Sequence, residues 1–113
     1  MAEEYKNFGS NNIAGNEIAI YTVPPNGMAI ITGLFVTNKA NDANGFASLI
    51  VRKENATKYY IGSSNTPLPA STTICYSGVG QRIHLESNES LYITITGENV
   101  NADVFGSALQ ITA

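Results

Sequence analysis

The stretch YTVPPNGMAIITGLFVTN, from Tyr21 to Asn38, decides the fold. An alternating segment, Ile18 to Val23, runs into Pro24-Pro25 and stops there, because proline has no N–H to give to a sheet ladder. Asn26-Gly27 then supplies residues that tolerate positive φ, as a tight reversal requires. Met28 to Asn38 follows as a longer and more apolar strand. Alternation places Ile30, Leu34 and Val36 on one face and Ile31 and Phe35 on the other. A strand apolar on both sides is expected to be covered on both faces, or to meet a partner with its outer one. Gly33 in its middle predicts a bulge or a close backbone approach.

The same grammar recurs on both sides of this stretch. Phe46 to Lys53 alternates, with Ala47, Leu49 and Val51 inward and Ser48 and Arg52 outward, and Glu54 to Thr57 turns the chain into Lys58–Ile61. Gly62 to Ala70 is expected to be an irregular crossing between sheets. Ser71 to Tyr76 makes a strand, broken at Gly78-Val79-Gly80. Ile83 and Leu85 point inward between Arg82, His84 and Glu86, and Asn88 suits a left-handed turn position. Leu91, Ile93 and Ile95 face the core opposite Tyr92, Thr94 and Thr96, and Phe105, Leu109 and Ile111 are expected to fill the inner face of a closing strand. No helix-length window carries a 3.6-residue apolar period. The fold class is all-β: an antiparallel two-sheet sandwich, jelly-roll-like, of about seven or eight short strands. Residues 17–113 form the single β-sandwich domain. Residues 1–16 form an N-terminal arm, extended or flexible, because Tyr5, Phe8 and Ile13 are spaced too widely for a strand or helix period.

Composition excludes several functions. With 113 residues the chain is one domain, and its 13% of charged residues is about half the usual share. A weakly charged polar surface suits packing against copies or a partner, since few ions need desolvating. The net charge of −3 and the scattered basic residues Lys6, Lys39, Arg52, Lys53, Lys58 and Arg82 exclude a phosphate-tracking stripe, so nucleic acid is not an expected partner. The acidic opening Met1-Ala2-Glu3-Glu4 lacks the apolar core of a signal peptide, and no run approaches a membrane span. Cys75 is the only cysteine, which fits synthesis in a reducing cytoplasm.

Chemistry is sparse. The lone histidine, His84, stands between Arg82 and Glu86 on an outward strand face, and Cys75 lies in a strand between Ile74 and Tyr76. A hydrolase would need these two brought together with a third, orienting group. Glu86, Glu89, Glu98 and Asp103 are the acids that could pair at a sheet end, but tryptophan, the usual sugar platform, is absent. Asn41-Asp42-Ala43-Asn44-Gly45 carries oxygen ligands without the spacing of a calcium loop. No catalytic, cofactor-binding or metal-binding residue is assigned, no cofactor is expected, and the chain is not expected to be an enzyme.

The string Tyr21-x-Val23-Pro24-x-x-Gly27-x-Ala29-x-Ile31-x-x-Leu34-x-Val36-x-Asn38 resembles the opening of small β-sandwich virion proteins of tailed bacteriophages. The likeness continues at Pro67-Leu68-Pro69-Ala70 and at Leu85-x-x-Asn88-Glu89-x-Leu91, and spans about Glu17 to Thr112. Departures at Pro25-Asn26, Ser71 and Asn88 each keep a turn-competent residue. The resemblance implies a non-enzymatic virion structural protein, foremost a capsid decoration or cement protein that binds and stabilises the head. Its implied partners are its own copies, a trimer first, and the major capsid or other virion proteins, after synthesis in the host bacterial cytoplasm. Tail, neck or fibre components are alternatives, as is a carbohydrate-binding module using Tyr59 and Tyr60. Candidate interface residues are Tyr5 and Phe8 on the arm, Ile31 and Phe35 on the apolar strand, and Tyr59, Tyr60 and Tyr92.

Overall fold

A computed structural model of the chain describes residues 2–77 and 82–112; the expected break at Gly78-Val79-Gly80 lies outside them. Among the described residues there are nine strands: β1 Ala2–Ile13, β2 Gly15–Thr22, β3 Gly27–Asn38, β4 Gly45–Arg52, β5 Lys58–Leu68, β6 Thr73–Ser77, β7 Ile83–Leu85, β8 Ser90–Thr96 and β9 Ala102–Thr112. They form two antiparallel sheets. One has five strands in the order β1-β9-β3-β6, with β7 also on β3, and the other four in the order β2-β8-β4-β5.

The topology is that of one long hairpin rolled up. β4 pairs with β5 around a turn closed by Lys53 N–H to the Thr57 carbonyl and Ala56 N–H to the Lys53 carbonyl. Working outward, β3 pairs with β6 and β7, β2 with β8, and β1 with β9. Rolling the hairpin adds the β3·β9 and β4·β8 ladders, which complete the two sheets of a jelly roll. Consecutive strands of the first half therefore lie in opposite sheets. The Pro24–Gly27 reversal, with Asn26 at φ 61°, carries the chain across the sandwich from β2 to β3 instead of closing a hairpin. Asn88 (φ 63°) and Ser71 (φ 57°) also hold left-handed turn positions.

Four sequence expectations need correction. Residues 2–13 are not a free arm: β1 is in register with β9 from Ala2↔Thr112 to Ser10↔Val104, one edge of its backbone paired by a ladder that apolar spacing does not reveal. The expected crossing at 62–70 is largely strand, since β5 runs to Leu68 with a register shift opposite Ala47–Leu49, and Pro67 is tolerated because β5 is an edge. In β3 the register slips between Ile31 and Gly33, where Gly33 had suggested a bulge. One extra residue reverses the alternation, so Ala29 and Ile31 before the slip share the core face with Leu34 and Val36 after it, while Ile30 falls on the outer face with Phe35. In β9 the inward residues are Ala102, Val104 and Ala108, and Phe105, Leu109 and Ile111 point away from the core.

Leu34, Leu49, Leu68, Leu85, Leu91, Ile31, Ile93 and Ile95 fill the space between the sheets, with Val23 and Val36. Small inward residues on β9 are matched by a bulky one on β1. A Cβ on Gly106 would stand 2.5 Å from the Phe8 ring and 2.8 Å from the Gly33 carbonyl oxygen, so only glycine leaves room for that ring. Phe8 in turn lies 5.1 Å, centroid to centroid, from Tyr21, whose hydroxyl donates to Gln110 Oε1 at 2.6 Å.

Candidate functional site

The register of the five-stranded sheet determines which side chains share its outer face. Row by row these are Glu3, Ile111 and Met28; Tyr5, Leu109, Ile30 and His84; Asn7, Ser107 and Gly33; and Gly9, Phe105, Phe35 and Cys75. A polar row of Asp103, Thr37 and Thr73 closes one end, with the two threonine hydroxyls 2.8 Å apart and Lys39 Nζ 3.0 Å from Asp103. Between that row and Glu3 the face carries Met28, Ile30, Phe35, Phe105, Leu109, Ile111 and Tyr5, and among the described residues no second sheet lies over them. Phe105 is 56% exposed, Phe35 44% and Tyr5 86%. Scattered exposed apolar side chains are ordinary, but a contiguous patch of this kind marks an interaction surface.

Its geometry suits packing. Phe105 and Phe35 are directly opposite on neighbouring strands, and the Phe105 ring leans toward Gly9, where an added Cβ would meet it at 3.3 Å. A bare glycine beside an aromatic ring keeps the face flat there. Next to Phe105 a shallow depression of about 300 Å³ is lined by Gly9, Ser10, Asn11, Asp103 and Val104. The bulge in β3 brings Thr32 Oγ1 to 2.9 Å from Ser107 Oγ, a hydroxyl pair in the middle of the apolar field.

The outer face of the four-stranded sheet is different. Tyr92 is capped by the Arg52 guanidinium, 4.2 Å above its ring centroid. Arg52 also pairs with Glu17, whose other oxygen accepts from Lys58 Nζ at 2.8 Å. The Lys58 hydrogen bond outweighs partial burial and, with help from Arg52, holds the Glu17 carboxyl below its usual range. Ile50 is buried in a cross-strand row between Tyr60 and Tyr92. These charges are engaged within the fold, and the neighbouring Lys53 is ion-paired as well, its Nζ 2.6 Å from Glu89 Oε2.

The sequence-derived interface residues are therefore split. Tyr5 and Phe35 stand on the apolar outer face. Ile31 is a core residue, moved inward by the β3 bulge. Phe8 packs on the core and Tyr21, and Tyr92 lies beneath Arg52. Tyr59 and Tyr60 are both about half exposed, but as neighbours in β5 they project to opposite faces, so they form no common platform for a sugar. Phe105, Leu109 and Ile111 were missed because a bulky residue in an alternating strand is ordinarily assigned inward; the small partners Val104, Gly106 and Ala108 were the contrary signal.

The candidate chemistry disperses. His84 faces Ile30 and Cys75 faces Phe35, so roughly 15 Å of strand separates them. Glu89 is buried and structural: its Oε1 accepts from the Glu86 backbone N–H at 2.8 Å and its Oε2 from Lys53. Burial alone would raise its pKa, but the Glu86 N–H and Lys53 together bring it below the ordinary value. Asp103 is held down by the Asn12 backbone N–H and by Lys39, far from Glu86 at the opposite end of the sheet. In the suspected calcium loop, the Ala43 carbonyl accepts from Asn38 Nδ2 and Asn44 Oδ1 from the Ala70 N–H. Among the described residues no three His, Cys, Asp or Glu side chains are grouped to hold a metal, and no helix is long and apolar enough to cross a membrane.

No family model matches the chain, and no curated protein matches it. Among solved structures it is similar to a chain in the structure of infectious bursal disease virus Gx strain, at 12% identity and a TM-score of 0.38, over 96% of this chain and 31% of that one. A chain of the Gt strain structure gives 12% identity and a TM-score of 0.32 over the same shares. The chain thus spans about a third of the length of those proteins.

Proposed function

We propose that the chain is a non-enzymatic structural protein of a virus particle, one that works by packing against copies of itself and a larger shell. The observation that carries this is the outer face of the five-stranded sheet, where the exposed Phe35, Phe105 and Met28 and the half-buried Ile30, Leu109 and Ile111 lie beside the protruding Tyr5. Jelly rolls build viral shells, lectins and cupin enzymes alike, so the fold alone does not choose among them. What favours the shell is a flat apolar sheet face together with His84 and Cys75 far apart and Glu89 committed to Lys53. The turn motifs from Tyr21 to Asn38, Pro67 to Ala70 and Leu85 to Leu91 favour a tailed-phage particle, and within it a capsid decoration or cement protein. A purely lectin-like use of Tyr59 and Tyr60 is disfavoured by their opposite orientations.

Peptide mass spectrometry of gradient-purified particles from lysates containing this protein tests the proposal. The chain is expected in the particles at many copies, in constant ratio to the major capsid protein. Abundance in the lysate with absence from purified particles would refute it.

A further inference from the structure

β1 is the outer strand of the five-stranded sheet, with β9 on one side and a free ladder edge on the other. It is long and regularly paired from Ala2 to Ser10, which makes it a template for another strand. Proteins that avoid such pairing break the edge with proline, a bulge or charged side chains, and a charge blocks a partner strand unless the partner brings the opposite one. β1 has no proline, its register shift comes only after Ser10, and its charges are of both signs: Glu3, Glu4 and Lys6.

We propose that β1 pairs antiparallel with β1 of a second copy about a two-fold axis at Tyr5, joining two five-stranded sheets into one. The charge order selects this register. With Tyr5 opposite Tyr5 of the second copy, Glu4 faces the second copy's Lys6 and Lys6 faces its Glu4, so one operation satisfies two opposite-charge pairs. A two-fold at Glu4 would set Glu4 against Glu4, and one at Lys6 would set Lys6 against Lys6; both are repulsive. A two-fold at Asn7 leaves Glu4 opposite Ser10 and makes no charge pair. Registers centred between residues set outward side chains against inward ones, and would turn the second copy's apolar face to the other side. Within one copy Glu4 and Lys6 already meet at 3.0 Å with both side chains about half exposed, and such a pair is weak enough to re-form across a seam.

The pairing also gives Tyr5 a place. As the most exposed large hydrophobic side chain among the described residues, it would meet Tyr5 of the second copy on the outer face. The row His84, Ile30, Leu109, Tyr5 would then run on through the second copy in reverse, doubling the apolar face without interruption. This deepens the assembly reading above and rests on it only in taking self-association as the task. An isologous edge of this kind yields a dimer, or an even-numbered assembly when another contact closes a ring.

Sedimentation of the wild-type chain, Lys6→Glu, Glu4→Lys and the double swap Glu4→Lys/Lys6→Glu tests it. Each single reversal is expected to weaken association at least tenfold, and the swap to restore it, because the swap recreates both cross-copy pairs. Tyr5→Cys in a Cys75→Ser background is expected to give disulfide-linked dimers with oxidised glutathione. A strictly monomeric or odd-numbered wild-type assembly would overturn the proposal. So would association indifferent to the single reversals, or single losses that the swap does not repair. Incorporation into particles that is unaffected by any of these variants would remove the edge pairing and leave the structural role standing.

Discussion

Asn38 ends β3 fully enclosed, and its amide does three jobs: Nδ2 donates to the Ala43 carbonyl at 2.8 Å and the Leu68 carbonyl at 3.1 Å, and Oδ1 accepts from the Ala40 N–H at 3.0 Å. Asn38→Leu would strand these backbone groups out of water, and is expected to cost about 3 kcal/mol in a urea titration, the range for buried groups left unpaired. Phe35 and Phe105 contrast with it. Being half exposed, they support the fold weakly, so Phe35→Asp and Phe105→Asp are expected to lower stability by less than about 1 kcal/mol each. Glu89 supplies a pH dependence. Its folded pKa is depressed, so its contribution is present above the unfolded value of 4.5 and is lost as pH falls through the folded one. Lys53 is raised by the same pair, so its share holds below 10.5 and is lost only above that. Glu89→Gln is therefore expected to flatten the fall in thermal midpoint below about pH 5, and to lower the midpoint at pH 7.

At the scale of elements, β3 and β9 carry the proposed assembly surface, and alternation alone misreads both. Turn chemistry was legible: Asn26 and Asn88 take the left-handed conformation that their sequence context predicts, and β8 buries Leu91, Ile93 and Ile95 as its period-2 pattern selects. By contrast, β4 encloses the outward Ser48 and Ile50 along with Ala47, Leu49 and Val51, and in β7 Leu85 is buried and Ile83 half-buried. The β3 slip was legible as a bulge at Gly33, but not its consequence, because one inserted residue moves every later side chain to the opposite face. β9 misleads because Phe8, from the far end of the chain, supplies the bulk over Gly106 that local residues do not. That coupling predicts that Gly106→Ala destabilises the fold by about 2 kcal/mol in chemical denaturation, while Phe8→Ala/Gly106→Ala loses less than the sum of the two single changes, since the clash with the ring goes with the ring and only the close approach to the Gly33 carbonyl stays. β1 was illegible for a different reason. An edge strand held by its backbone ladder needs no apolar period, and its polar residues read as an arm.

At the scale of the whole molecule, each of β1 to β4 pairs with a strand from the second half, and β1 meets β9 across nearly its full length. One sheet presents a face whose charges are engaged within the fold, through Arg52, Glu17 and Lys58, and the other an apolar field rimmed by Glu3, His84 and the Asp103 row. That asymmetry is the basis for assigning assembly to the five-stranded sheet. The most direct measurement is the solution mass of the wild-type chain and of Phe35→Asp/Phe105→Asp, taken by light scattering across a concentration series. The wild type is expected to reach a larger mass than the double variant, which is expected to stay folded, with a nearly unchanged unfolding midpoint, and to go no further than the edge-paired dimer. Equal masses for the two chains at every concentration would contradict the assignment of that face to assembly.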